Sequence, residues 1–513
     1  MKLPDHMLAV FFAVVLACIA APKTSTAQDV TAQGGADRAR TLVETGLELL
    51  GSEERLNSLT SLRLEGLGST SSIGQGSNPE TPLSNNPVEV SWIVDFENGR
   101  VWRYRQSFQG DQGYFCFNSV YRQDDAFNYE CVTGIHMPIE TEAANRTRPL
   151  LLARFPEPRG RLLDAIDHAE SLRYEGTAGR NGRPVDVVSY TDEGNTNWHL
   201  EFDQERGFLR RALGGEVSMT LGAYRTTDEY SDYREMEGIM IPMRVRSTRP
   251  IAGTIGWAIT DDTVYSRAEV DGAVDGGMFE LPAEAAPRLE DNEVVVTEVA
   301  NSVYFLQSVR PNYNQLLVDF DEFLLVVDAP FNAEVADATI AKIRELAPTK
   351  PIRYIVPTHF HYDHIGGLPT YVESGAKVLT TPGNHDFFED LIARSLPDED
   401  FGGVVEAIAG GRYRVPGTGP AVELIDIGPN PHADELLVIY LPESKALYVP
   451  DVFSVDWGKV RPAIPETFAF ADALTKLGLA VEIVLPGHGP PATRADLERS
   501  LSAGRPNLPS ASP

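Results

Sequence analysis

Hydrophobic and polar positions follow different patterns in the two halves of the chain. In the first half they alternate with a period of two, as in residues 198–202, which read Trp-His-Leu-Glu-Phe. This period is typical of half-buried strands, and turn sequences at 203–207 and 237–238 predict hairpins between them. Apolar residues at helical spacing predict helices over 36–50 and 161–172. The first half therefore predicts a large antiparallel sheet with few helices.

The second half combines short, continuous apolar runs with amphipathic segments. The runs at 294–299, 323–327 and 352–356 predict buried strands, and the spacing over 333–346 predicts a helix. Thr493 and Asp496 have the spacing of a capping box at the start of a last helix. This order favours two sheets sandwiched between helices, an αββα arrangement.

Residues 281–287, rich in proline and alanine, predict a linker between the halves. We therefore predict an α+β protein. An N-terminal, mainly antiparallel β-rich domain occupies residues 28–288, an αββα domain occupies 289–500, and a disordered tail occupies 501–513.

Residues 359–364 read His-Phe-His-Tyr-Asp-His, although the whole chain of 513 residues has only ten histidines. Side chains two residues apart in extended chain point to the same side, so His359 and His361 can bind one metal ion. Beyond the bend, Asp363 and His364 can face a second ion. The segment therefore predicts a metal site that needs further ligands from distant segments.

Three downstream residues are candidates for these ligands, and each lies just beyond an apolar strand: His432, Asp451 and His488. The order of all these motifs resembles the metallo-β-lactamase-fold metallohydrolase superfamily over roughly residues 294–500. The resemblance implies two sets of metal ligands and one bridging residue. His359, His361 and His432 would hold the first metal, Asp363, His364 and His488 the second, and Asp451 would bridge the two. It also implies that Asp328, at the end of a strand, braces the ligand loop without touching metal.

Imidazole and carboxylate ligands suit Zn²⁺, so we expect two zinc ions per chain, with iron or manganese less favoured. A water between two such ions is acidified, so hydroxide is available near neutral pH, and Asp363 would orient it and shuttle its proton. Asp451 resembles the bridging residue of lactonases and thioesterases in the superfamily more than that of true β-lactamases. We therefore expect hydrolysis of an ester, lactone, thioester or similar carbonyl substrate. Tyr362, Asn430 and Tyr448 are nearby polar candidates for substrate binding.

Three alternatives remain open at this point. The substrate could be a β-lactam, since export would place the enzyme where β-lactams act. A single iron could instead support oxidation of a sulfur compound, as in relatives with this ligand set. Finally, the first half loosely resembles a lipoprotein-carrier-like antiparallel sheet in its strand pattern, so it could bind an envelope lipid or partner, with the metal domain as a scaffold.

The start of the chain has the features of an export signal. Lys2 precedes an apolar run over 7–21, and small residues at 25–27 offer a cleavage site. We expect a signal peptide over 1–27, a periplasmic or secreted mature protein, and no transmembrane span in the mature chain. A lipid anchor at Cys18 is the second choice. Export agrees with a disulfide between Cys116 and Cys131, which lie in two aromatic strand-like segments.

The net charge of −30, from 44 basic and 74 acidic residues, argues against a nucleic acid or an anionic membrane as the partner. A small-molecule substrate is the partner that we expect. The hydrophobic content of 42% is sufficient for the cores of two domains.

Overall fold

The computed structural model describes residues 32–504, apart from 109–113, 123–124, 132–135, 139–157, 181, 220–221, 251–257, 284–293, 309–312, 398–400, 409 and 457–458. The predicted signal peptide, Cys18 and the domain boundary at 288 lie outside the described residues. Within the described residues, no helix has both the length and the apolar character needed to cross a membrane.

Helices occur in both halves of the described chain. In the first half they are α1 (Ala32–Leu50), α2 (Glu53–Asn57) and α3 (Pro158–Asp167). In the second half they are α4 (Ala333–Leu346), α5 (Tyr362–Ile365), α6 (Leu368–Glu373), α7 (His385–Ser395), α8 (Pro465–Leu477) and α9 (Arg494–Gly504).

The first half forms one antiparallel sheet, which confirms the prediction from the alternating pattern. Its strands are β1 (Ser61–Asn78), β2 (Thr81–Asp95), β3 (Arg100–Phe108), β4 (Tyr114–Tyr121), β5 (Ala126–Glu130), β6 (His136–Pro138), β7 (Arg173–Arg180), β8 (Arg183–Thr191), β9 (Asn197–Asp203), β10 (Leu209–Met219), β11 (Gly222–Met236), β12 (Ile239–Pro250) and β13 (Ala258–Val270). Strands that are neighbours in sequence pair with each other, except β6 and β7, which form the two edges of the sheet, and β1 pairs with β13 in its middle.

One face of this sheet is covered by helices. Val43 of α1 and Leu162 of α3 are fully buried against it, together with strand residues such as Leu200 and Phe202. Their burial explains the alternating pattern, because the apolar side chains of each strand face these helices. The predicted disulfide is present and joins Cys116 of β4 to Cys131, whose Cα atoms lie 5.3 Å apart.

An ion cluster crosses the middle of the same sheet. The guanidinium groups of Arg103 and Arg105 on β3 lie 3.1 and 3.3 Å from the carboxylate of Asp261 on β13. Burial alone would raise the pKa of Asp261, but the two arginines outweigh it and lower that pKa below its ordinary value. The cluster therefore links strands on both sides of the β1–β2 pair.

The second half contains two larger sheets. One is formed by β14 (Val295–Ala300), β15 (Val303–Ser308), β16 (Tyr313–Asp319), β17 (Leu324–Val327), β18 (Ile352–Val356), β19 (Lys377–Thr380) and β20 (Val405–Ala407), in that order. The other has β21 (Arg412–Arg414), β22 (Glu423–Asp426), β23 (Leu437–Leu441), β24 (Ala446–Val449), β27 (Ile483–Pro486) and β28 (Ala492–Thr493), and a separate small ribbon pairs β25 (Val455–Asp456) with β26 (Lys459–Val460).

Three apolar clusters fill this half. One joins the first of these sheets to α4, α6 and α7, through residues such as Val326, Ile340 and Phe388. A second contains residues of both sheets, such as Phe305 and Leu424. The third joins the other face of the second sheet to α8 and α9.

Several predicted boundaries agree closely with the structure and others need correction. The predicted strand at 352–356 and helix at 333–346 have the observed bounds. The helix predicted over 161–172 ends at Asp167 and is followed by a short 3₁₀ turn. The predicted tail at 501–513 begins too early, because α9 continues to Gly504. Its start is capped as predicted, since the Thr493 hydroxyl accepts from the Asp496 amide while the Asp496 carboxylate accepts from Thr493.

Candidate metal centre

The histidine segment lies in the loop after β18 and in the short helix α5. Its position is fixed by backbone contacts on both sides: the Ala329 amide donates to the His364 carbonyl at 2.7 Å, and the Leu437 amide donates to the Thr358 carbonyl at 2.8 Å. Gly366 permits this packing, since a Cβ there would lie 1.9 Å from the Phe331 carbonyl oxygen. The glycine after α5 is therefore required by close contact with the loop that follows β17.

The structure brings all seven residues predicted as ligands into one cluster. In a first group, four residues each offer one ligand atom, and these atoms lie within 4.8 Å of one another: His359, His361, His432 and Asp451. The same holds for Asp363, His364, His488 and Asp451. The two groups match the two predicted metal positions.

Asp451 is shared between the groups, and each of its oxygens faces a different one. Oδ2 lies 3.2 Å from His432 Nε2, on the side of the first group. Oδ1 lies 2.8 Å from His364 Nε2 and 2.9 Å from His488 Nε2, on the side of the second. A carboxylate placed in this way has the geometry of a bridging ligand.

Several buried polar atoms at the centre have no hydrogen-bond partner, which tests whether the residues fit a metal. His361 is 2% exposed, and its Nδ1 has no partner among the described residues. His364 Nε2 and Asp451 Oδ1 lie close together, yet neither is in hydrogen-bonding geometry. Native proteins rarely leave buried polar atoms unsatisfied, and nitrogen and oxygen atoms converging at these distances are typical ligands of a divalent cation. The donor set therefore fits divalent metal binding.

The electrostatics of the cluster differ between the two groups. Burial, with the neighbouring histidines, holds the pKa of His359 well below its ordinary value and lowers the pKa of His361 to about 3. Burial also acts against the charged form of His364, but Asp451 and Asp328 outweigh it and raise the pKa of His364 well above its usual range. His359 and His361 are thus neutral imidazoles, whereas His364 is paired with carboxylates.

Asp328 lies directly behind the second group and is fully buried. Its Oδ2 is 2.9 Å from His364 Nδ1 and accepts from the Tyr448 hydroxyl at 2.9 Å, while its Oδ1 accepts from the Thr358 amide at 2.8 Å. Its φ of +63° is in the left-handed region, which few residues other than glycine adopt. The strained backbone therefore places one carboxylate against both the His364 ring and the start of the ligand loop.

Two of the polar residues named as substrate candidates have structural contacts instead. Tyr448 is fully buried, and its hydroxyl shares its one proton between Asp328 Oδ2 and the Asn314 carbonyl, at 2.9 and 2.8 Å. The Asn430 side chain accepts from the His432 amide and donates to the Glu466 carbonyl. Both therefore hold ligand-bearing segments in place. All of these contacts except that between Asn430 and His432 join residues far apart in the chain, so local sequence does not predict them.

Asn314 of β16 is a further residue that sequence reasoning missed. Its side-chain amide donates to the carbonyls of Pro486 and Gly489 at 2.8 and 2.6 Å, on both sides of His488. Its own backbone amide donates to the Gly487 carbonyl. Asn314 therefore fixes the loop that carries the last predicted ligand.

The comparisons with known proteins agree with this geometry. Residues 310–488 match the family model described as the metallo-beta-lactamase superfamily. The second half of the chain is therefore similar to this superfamily. The match covers about a third of the chain and does not include the antiparallel sheet of the first half.

The curated relatives of this chain are distant. The 2,4-dinitroanisole O-demethylase subunit alpha of Nocardioides sp. (strain JS1661) is 26% identical over 177 residues, covering 34% of this chain and 52% of that protein. The metallo-beta-lactamase type 2 of Bacillus cereus is 26% identical over 226 residues, covering 42% of this chain and 80% of that protein. The chain thus spans about half the length of the first of these relatives.

Solved structures also align with part of the chain. A metallo-beta-lactamase from Pontibacter korlensis is 20% identical, covers 41% of this chain and 98% of its own, and gives a TM-score of 0.34. One from Hirschia baltica is 21% identical, covers 42% of this chain and 99% of its own, and gives a TM-score of 0.33.

The metallo-β-lactamase domain is also contacted by the first half of the chain. The tip of the β1–β2 hairpin, residues 74–80, reaches the loop that carries the histidines. The Gly76 carbonyl lies 2.7 Å from His361 Nε2, and the side-chain amide of Gln75 donates to Asp363 Oδ1 at 2.7 Å. The histidine cluster is therefore built against residues from both halves.

Proposed function

We propose that this protein is an exported, metal-dependent hydrolase whose site holds two zinc ions and acts on an ester, lactone, thioester or similar carbonyl substrate. The observation that carries the proposal is the position of Asp451, whose two carboxylate oxygens face two separate groups of nitrogen ligands. Similarity to the superfamily supports metal-dependent hydrolysis, and the three apolar clusters of the second half support its αββα layer order.

Two divalent ions held by these residues would supply an activated water and polarise the carbonyl of the substrate. The protein's own residues hold and orient these groups. Asp451 would fix the spacing of the two positions, and Asp363, whose Oδ2 lies 3.7 Å from His488 Nε2, would accept a proton from the nucleophile.

The more exposed side of the cluster is the side from which a substrate would approach. The side chains of His432, Asp451 and His488 are 17%, 14% and 23% exposed to solvent, whereas those of His359 and His364 are almost completely buried. A carbonyl group approaching from this side would meet Asp451 and the two more exposed histidines first.

Export is supported by the disulfide, since such bonds persist in oxidising compartments, and by the apolar segment at 7–21. The mass of the mature protein, purified from the periplasm or the medium of an expression host, tests it. A first residue at Gln28 is expected, and a lipid-modified Cys18 would show anchoring instead.

The central experiment measures bound metal per chain by elemental analysis, for the wild type and for two variants. Asp451→Ala removes the shared carboxylate. Asp337→Ala is the matched control, because Asp337 is exposed on α4 and belongs to neither group of predicted ligands. We expect about two zinc ions in the wild type and the control, and one or none in Asp451→Ala, with loss of activity toward esters, lactones or thioesters.

Other outcomes would point elsewhere. One iron per chain would support oxygen-dependent sulfur chemistry, and turnover of only β-lactams would change the substrate class. A wild-type protein that binds no metal would refute the proposed function.

A further inference from the structure

The β1–β2 hairpin of the first sheet makes four hydrogen bonds to the metal-site loops. Besides the contacts of Gln75 and Gly76, the Asn78 side chain donates to Asp434 Oδ2 at 2.6 Å, and the Asp434 amide donates to the Ser77 carbonyl at 2.8 Å. The partners are separated by more than 280 residues in the chain. They reach both the histidine segment and the loop of His432.

The contact of Gly76 determines which nitrogen of His361 carries the proton. A carbonyl oxygen only accepts, so His361 Nε2 must be protonated to donate to it. In a neutral imidazole Nδ1 then has a free lone pair, and this atom is the buried one without a partner. The His361 ring lies 4.5 Å from that of His432, on the side of the first metal position. The hairpin therefore fixes the tautomer and ring orientation that metal binding needs.

The contact of Gln75 acts on the second metal position. Its amide nitrogen donates to Asp363 Oδ1, which leaves Oδ2 to face His364 Nε2 at 3.9 Å and His488 Nε2 at 3.7 Å. Gln75 is half-buried, so this bond is partly shielded from water. It restrains the carboxylate and determines which of its oxygens is presented to the ion.

We propose that the β1–β2 hairpin is an integral part of the metal centre, with Gln75 and Gly76 as positioning residues supplied by the first domain. The inference rests on the proposed function, because it assumes that the cluster binds metal. Residues that orient metal ligands from outside typically change metal affinity on the order of 10–100-fold when they are removed. The first domain would thus tune the site without touching the ion.

Two full-length variants test this inference. Gln75→Leu removes the donor while keeping a side chain of similar size. In the second variant a two-residue Asn-Gly turn replaces residues 74–80 and removes the Gly76 carbonyl. Asn85→Ala is the matched control, because Asn85 is exposed on β2 and bonds to Ser71 within the same hairpin.

The dissociation constant of each ion is measured by competition with a chelator, and the visible spectrum of the Co²⁺-loaded protein reports ligand geometry. We expect the second ion to bind about 10-fold or more weakly in Gln75→Leu, and both ions to bind similarly more weakly in the shortened hairpin, which lacks Gln75 as well as Gly76. Both should show altered Co²⁺ spectra, while Asn85→Ala should match the wild type. Thermal unfolding of the metal-free proteins separates these effects from a general loss of stability.

Unchanged affinities and spectra in Gln75→Leu, with two ions bound to the wild type, would overturn the inference and leave the proposed function intact. Absence of metal from the wild type would instead refute the proposed function, and the inference with it.

Discussion

Asp328→Asn provides a sharp test of how the metal centre is organised, because the change preserves the size of the side chain. Asparagine tolerates a positive φ well, so the backbone at +63° should gain no strain. What changes is hydrogen bonding. The carboxylate accepts at both oxygens, whereas the amide accepts at one atom and donates at the other.

Both orientations of the amide are unfavourable. If its nitrogen faces His364 Nδ1 and the Tyr448 hydroxyl, the ring must accept there and carry its proton on Nε2, the atom that faces Asp451. If its nitrogen faces Thr358 instead, two donors oppose each other at the start of the ligand loop. Hydrogen bonds to charged groups contribute about 1.5–3 kcal/mol, so about 2 kcal/mol of the free energy of unfolding should be lost.

The metal measurement is more specific than stability. We expect the second ion to bind about 10–100-fold more weakly in Asp328→Asn, because His364 presents a protonated Nε2 in the first orientation, and two opposed donors disturb the start of the ligand loop in the second. Chelator competition gives the dissociation constants, and thermal unfolding gives the stability. Asp319→Asn is the control, since Asp319 ends the neighbouring strand β16 and pairs with Lys350 instead. A folded Asp328→Asn protein with wild-type affinity for both ions would refute this reasoning.

Three further predictions concern the fold around the site. Gly366→Ala should lower the free energy of unfolding by about 3 kcal/mol and reduce bound metal, because its Cβ would collide with the Phe331 carbonyl; calorimetry and elemental analysis measure both. Reduction of the Cys116–Cys131 disulfide should cost about 3 kcal/mol in denaturant unfolding without changing metal content, since the bond closes a loop of 15 residues far from the ligands in sequence. Asp261→Asn should cost about 2 kcal/mol at pH 6, because it leaves two arginines of β3 without their carboxylate. Since the folded pKa of Asp261 is lowered, this difference is fully present above about pH 4 and is lost as the pH falls through the folded pKa, which urea unfolding at several pH values will show.

The features that could be predicted from sequence are those encoded locally. The strand at 352–356 and the helix at 333–346 follow from hydrophobic periodicity, and the ligand residues are recognisable because each follows a strand within a few residues. The contacts of Asn314, Tyr448 and Gln75 could not be predicted in this way. Each depends on two segments meeting in space, and the polar sequence of the hairpin is equally compatible with a solvent-exposed turn.

The pairing of β1 with β13 has a consequence for how the protein is made. Leu62 lies opposite Val270, so the central pair of the sheet joins residues about 200 positions apart. The sheet cannot be completed during synthesis until β13 has left the ribosome, and such distant contacts form slowly. During this interval β1 and β2 lack their partner strand β13, so the hairpin that contacts the histidine segment is carried by an incomplete sheet.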